Sequence, residues 1–125
     1  MKRIILDTNF LTIPYQFNID IFEEIDRVVE GDYELTTLDS VIEELKKLTK
    51  TRGKEATAAK VALTLIKEKN VKVIKTGEKN VDIKIYRMAD KNTIIATNDR
   101  ILRRRLKNKN VKVLYLRSKK HIVMS

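Results

Sequence analysis

Two short apolar runs in this chain each end close to a carboxylate: RIIL (residues 3–6) is followed by Asp7, and TIIAT (93–97) by Asn98 and Asp99. Both junctions also carry short polar side chains, Thr8 and Asn9 at the first, Thr97 and Asn98 at the second. Aspartate beside threonine or asparagine often does no more than cap the next helix. Two such junctions, each behind a buried strand of a basic protein, favour a shared site instead. A third acid comes from SVIEELKKL. With the apolar stripe drawn through Leu38, Val41, Ile42, Leu45 and Leu48 at about 100° per residue, Glu44 lies about 95° from the stripe's centre, on its rim, and Glu43 about 165° away, towards water. Glu44 can therefore reach a crevice that Glu43 cannot; the alternative is a surface charge paired with Lys47. A fourth acid, Asp82, opens the segment VDIKIYRMA, where it would at least meet the helix dipole favourably. Asp20, Asp26, Asp32, Asp39 and Asp90 have no comparable placement and read as caps or surface. Four carboxylates in one crevice repel unless a cation neutralises them or some stay protonated. Oxygen-only ligands select hard ions, Mg²⁺ or Mn²⁺, and such ions suit phosphodiester hydrolysis.

The rest of the composition fits an anionic substrate. The 125 residues include 27 Lys and Arg against 17 Asp and Glu, a net charge of +10 that points to nucleic acid. A solvated, ion-paired surface is the plainer explanation. Arg100, Arg103, Arg104, Arg105, Lys107 and Lys109 crowd one helix and its exit, and Arg117, Lys119, Lys120 and His121 crowd the C-terminal tail. Like charges at this density are unfavourable on a bare helix, and an RNA backbone would compensate them. With Leu102 and Leu106 facing the core, Arg103 and Arg104 are expected to be the more exposed pair. Tyr15, Phe17 and Tyr86 could stack on bases, although Phe17 and Tyr86 read better as core. Cysteine is absent and His121 is the one histidine, which excludes disulfides, thiolate zinc sites and two-histidine mechanisms. His121 is expected to touch phosphate or nothing.

The elements that must position these groups alternate. Strands are predicted at 3–6, 33–37, 71–74, 93–97 and 111–116. Helices are predicted at 19–29, from Ser40 to about Lys50 with a Ser40–Glu43 capping box, and at 56–69, 81–90 and 99–108. Pro14 is read as part of a loop, TRGKE as a turn, and RSKKHIVMS as an extended or partly disordered tail, giving a domain over 1–117 and a basic tail over 118–125. Alternation of this kind makes a parallel sheet covered by helices on both faces, with chemistry at the carboxyl ends of the strands. No apolar run is long enough to span a membrane and the start is too short for a signal peptide, so a soluble cytoplasmic chain is expected.

RIILDTNFL resembles the opening motif of the PIN-domain nucleases, a hydrophobic strand ending in Asp-Thr/Ser-Asn. TLDSVIEELKKL is similar to the family's second motif, whose acid corresponds to Glu44, and NVDIKIYRMADKNTIIATNDRILRRRL to the third and fourth, with acids at Asp82 and Asp99. The resemblance implies a five-stranded parallel sheet in the order 3-2-1-4-5 within a three-layer sandwich, and Mg²⁺ or Mn²⁺ held by Asp7, Glu44, Asp82 and Asp99. It further implies cleavage of single-stranded or structured RNA. The third motif of many relatives has two adjacent acids; here Asp82 stands alone between Val81 and Ile83, which implies weaker metal binding. The basic C-terminal end looks most like the branch related to ribosomal-RNA-processing nucleases, with a ribosomal precursor particle as partner. Two alternatives are a toxin nuclease held by an antitoxin protein and a non-catalytic RNA-binding module. A homodimer is compatible with each.

Overall fold

The computed structural model describes residues 1–125. Its elements are β1 (Lys2–Leu6), α1 (Thr8–Leu11), α2 (Ile13–Phe17), α3 (Ile21–Val28), β2 (Tyr33–Leu38), α4 (Asp39–Thr49), α5 (Lys54–Glu68), β3 (Lys72–Ile74), α6 (Val81–Met88), β4 (Thr93–Ala96), α7 (Arg100–Asn108), β5 (Lys112–Arg117) and β6 (His121–Met124). Unbroken apolar runs become the central strands because both faces of a parallel sheet are covered. Ile4, Ile5 and Leu6 of β1 and all four residues of β4 are buried.

The sheet order is β3-β2-β1-β4-β5-β6, parallel except for β6. The first five strands stand in the expected order. From β1 the chain steps outward through β2 to β3, then crosses back to β4 and steps outward the other way. Right-handed crossovers in opposite directions cover opposite faces. In keeping with this, α1, α2, α4 and α5 pack together while α6 packs on α7. The strand order thus reverses between β1 and β4, where a crevice opens at the carboxyl ends of such a sheet. The register sets Leu6 level with Ala96, and Ala96 level with Leu114. Asp7 and Thr97 consequently leave the sheet side by side, with the Asp7 N–H donating to the Ala96 carbonyl at 2.9 Å. No helix is long and apolar enough to cross a membrane.

Five local readings are corrected or completed. The stretch around Pro14 is helical: Pro14 sits in the first turn of α2, where its missing N–H is harmless, and Asn18 at φ 54° ends that helix. Ser40 does not cap α4. β2 runs to Leu38 and the helix starts at once, so Ser40 lies inside the first turn with its hydroxyl buried and unpartnered. Asp39 does more than decorate the surface: its carboxylate accepts from the Ser40 N–H and from the N–H and hydroxyl of Thr76, tying the loop after β3 to α4. These bonds, Thr76's foremost, hold the Asp39 carboxyl below its usual range. The tail is extended, as β6, paired antiparallel to β5, so the boundary expected at residue 117 falls inside a hairpin. Glu24 of α3 clasps that strand. It accepts from Arg27 at 2.9 Å and from the Ile122 N–H at 3.1 Å, and Arg27 donates to the Ile122 carbonyl. His121 lies 3.5 Å from Glu24, so its partner is a carboxylate of the protein.

Candidate active site

Asp7 follows β1, whose last three residues are fully buried, and is itself almost fully enclosed. One carboxylate oxygen accepts from the Thr8 N–H at 2.8 Å, so the residue does cap the short α1. The other oxygen accepts from the Thr97 hydroxyl at 2.7 Å, a bond made across the switch point that no cap requires. Burial pushes the Asp7 carboxyl up from 3.8 to about 6, the hydrogen bonds from Thr97 and Thr8 oppose the rise, and the charges of Asp82 and Glu44 add to it.

Glu44 turns inward as its angle on the helix predicts. Its Oε2 accepts from the Thr8 hydroxyl at 2.6 Å; both glutamates are exposed, but Glu44 lines the crevice and Glu43 does not. Asp82 enters from the first turn of α6, which Asn80 caps, leaving the Asp82 carboxylate free. Its carboxyl is raised, by burial first and then by Asp99 and Glu44, against the pull of Arg105. Asp7, Glu44 and Asp82, with Thr8 and Asn9, line one cavity of about 320 Å³.

Asp99 is placed differently. It caps α7 through one oxygen, which accepts from the Ile101 and Leu102 N–H groups at 2.9 and 3.0 Å. It does not line the cavity and joins the others through its charge on Asp82. Thr97 and Asn98 also act from behind the cavity wall. Asn9 Oδ1 accepts from the Asn98 N–H, and Asn98 Oδ1 accepts from the Leu116 N–H, so the two asparagines lace β1, β4 and β5 together just below the acids. Of the other aspartates, Asp20 caps α3, Asp26 accepts from the Tyr33 hydroxyl, Asp90 accepts from Thr93, and Asp32 is exposed.

Sequence reasoning missed three polar groups of the same cavity, Thr12, Gln16 and Glu55. Thr12 and Gln16 lie in the segment read as loop. Glu55, in the first turn of α5, arrives because α5 folds back against α2 and α4. Read from the sequence it falls in the TRGKE turn, one residue before the predicted helix; α5 in fact starts at Lys54, and the packing that aims Glu55 was not visible.

The donor set consists of carboxylate, hydroxyl and amide oxygens, the chemistry that hard divalent cations take. Two of its carboxyls are driven towards the protonated form, and a cation would relieve that. No three acidic side chains are gathered closely enough to enclose an ion, so the arrangement is a charge-coupled crevice rather than a closed cage.

The basic residues divide. Arg104 and Arg105 are exposed, whereas Arg103 is half-buried. Its guanidinium stacks 3.9 Å from the centre of the Tyr115 ring, an interaction with β5 that helix geometry alone does not reveal. Arg105 lies 4.5 Å over the Tyr86 ring, and the Lys109 ammonium lies over the same ring while donating to the Tyr86 carbonyl. Phe17 and Tyr86 pack against the core and Tyr15 is exposed.

The chain is similar over nearly its whole length to two curated proteins. Ribonuclease VapC4 of Methanocaldococcus jannaschii is 36% identical over 97% of this chain and 95% of its own. Ribonuclease VapC9 of Archaeoglobus fulgidus is 32% identical over 98% of this chain and 88% of its own. Among solved structures, that of the PIN domain endonuclease Utp24 superposes with a TM-score of 0.77 at 24% identity, covering 98% of this chain and 90% of the other, a likeness of fold. A family model described as a PIN-like domain matches residues 4–119, from β1 to the turn after β5, and the chain belongs to the PIN-domain family.

Proposed function

We propose that the protein is a divalent-metal-dependent endoribonuclease whose reaction takes place in the crevice between Asp7, Glu44 and Asp82. The observation that carries this reading is the Thr97–Asp7–Thr8–Glu44 chain of hydrogen bonds at the switch point, which keeps acids of different elements facing one cavity. Mg²⁺ or Mn²⁺, taken up among Asp7, Glu44 and Asp82 with Asp99 adding its charge from beside Asp82, would lower the pKa of the attacking water and neutralise charge on the phosphate. Thr97 holds Asp7 in place, and Thr8 holds Glu44. The names of the curated relatives, ribonucleases both, support RNA as the substrate. All four acids are present, which opposes a non-catalytic RNA-binding role.

The test is incubation with single-stranded RNA in Mn²⁺, Mg²⁺ or EDTA. Cleavage is expected with either metal and none with EDTA; cleavage undiminished by EDTA, or none under any condition, overturns the reading. The two biological settings separate by company. Co-sedimentation with ribosomal precursors supports processing of ribosomal RNA, and a co-purifying protein that abolishes cleavage supports a toxin nuclease held by its antitoxin.

A further inference from the structure

The cations on α7 and the β5–β6 hairpin are arranged in a way that their fold does not require. Two adjoining cavities, about 430 and 440 Å³, share Arg100, Arg103 and Tyr115 in their walls. Arg104 and Lys107 extend the first, which Ser125 also lines, and Arg117 and Lys119 the second; no aspartate or glutamate side chain lines either. None of the ion pairs in the molecule involves these cations. Arg100 is the first residue of α7, against the positive end of the helix, where a cation is unfavourable. Contact with the Tyr115 ring holds the Arg103 guanidinium half-buried in the shared wall of the two cavities.

The hairpin carries a second, independent oddity. The Lys120 N–H donates to the Arg117 carbonyl across a turn whose middle residues, Ser118 and Lys119, have φ of 55° and 56°. Glycine or asparagine take this left-handed form readily; lysine does so at a cost. A strained residue that presents a cation at the rim of a basic cleft suggests a functional constraint.

We infer that this cleft is a phosphodiester-backbone track that holds the RNA strand beyond the reacting phosphate. It begins beside the acids, since Asn98 lines it while its N–H is bound by Asn9 of the crevice, and Asp99 immediately precedes Arg100. From Arg100 to Lys107, α7 spans about 10 Å, enough to follow a strand leaving the crevice. The inference rests on the endoribonuclease reading only for the direction of that strand.

The test measures binding of a long unstructured single-stranded RNA in EDTA across a salt series, together with Mn²⁺-dependent cleavage of that RNA and of a tetraribonucleotide. Arg103→Ala with Arg104→Ala should flatten the slope of log affinity against log salt by about 1.4, at about 0.7 for each phosphate no longer neutralised. Cleavage of the long RNA should weaken and that of the tetraribonucleotide should not. Arg104→Ala alone, at an exposed position, should give about half the change in slope and excludes misfolding as the cause. Lys119→Gly should melt no lower than the parent and still bind the long RNA less tightly, whereas a turn residue with only a structural role would leave binding unchanged. Unaltered affinity and slope in these variants overturn the inference and leave the nuclease reading standing. A parent protein that binds the long RNA through these residues and cuts nothing overturns the nuclease reading and leaves the track.

Discussion

Asp7 and Glu24 are carboxylates that brace the same sheet, and their surroundings drive them in opposite directions. Glu24 meets a guanidinium, a backbone N–H and a histidine, and its carboxyl is lowered from 4.5 to about 2, the Arg27 bonds foremost. Asp7 is enclosed and faces other acids, and its carboxyl is raised to about 6. The α3–β6 clasp is arranged as a fold arranges a charge to its advantage. The crevice is arranged against its own stability, a conflict expected where a site serves binding or chemistry rather than folding.

The largest effects should separate the two regions by activity. Asp99→Asn retains the cap, because asparagine caps as well as aspartate, so the melting temperature should hold. RNA cleavage should fall about 10- to 100-fold, the loss expected from an acid that acts on Asp82 from outside the cavity. Asp82→Asn should lose activity similarly; near-parental cleavage in either variant would remove that acid from the site. Thr8→Val is subtler. It frees Glu44 without touching an acid and should lower the cleavage rate about 10- to 100-fold while leaving the melting temperature nearly unchanged.

Next comes pH. Glu24 binds its proton more weakly in the folded chain, so its contribution is present above about 4.5 and is lost as pH falls towards about 2. Asp7 binds its proton more tightly in the folded chain, so its contribution is present below 3.8 and is lost as pH rises through about 6. Without divalent ions, stability should therefore rise on leaving acid and decline between about pH 4 and 6, by an amount on the order of 2–3 kcal/mol from Asp7. Melting curves across this range check it, and Asp7→Asn should remove the decline alone. The smallest effect belongs to the clasp. Glu24→Gln should destabilise by about 1–2 kcal/mol, given that Arg27 is half exposed to solvent. It should speed hydrogen exchange in β6 and leave cleavage intact; unchanged exchange there would dissolve the contrast.

The parts of this contrast were unequally legible in the sequence. RIIL-Asp7 and TIIAT-Asn-Asp99 announce themselves, because continuous apolar runs make central strands and the residues after them emerge at one end of the sheet. Glu44 could be told from Glu43 by helix geometry alone, since both lie on one regular helix. Asp99's retreat into a cap was not legible, because the same residue type serves both roles and only the position of α7 decides between them. Glu55, Gln16 and the Arg103–Tyr115 stack depend on how elements distant in sequence pack, which local periodicity does not encode. β6 was hard to read for a related reason: an edge strand of four residues is placed by its pairing with β5, the burial of Ile122 and the Glu24–Arg27 clasp, and its short apolar pattern shows none of these partners.

The claim that the acids of the switch point form a nuclease site, and not a set of caps, rests most heavily on Asp7. One pair of measurements on Asp7→Asn tests it: a melting curve in EDTA and an RNA cleavage assay in Mn²⁺. Relief of burial and repulsion predicts a melting temperature equal to or above that of the parent, and loss of a metal-holding acid predicts no cleavage. A variant that melts lower, by about the 1 kcal/mol of a lost cap, and still cuts RNA would contradict the account.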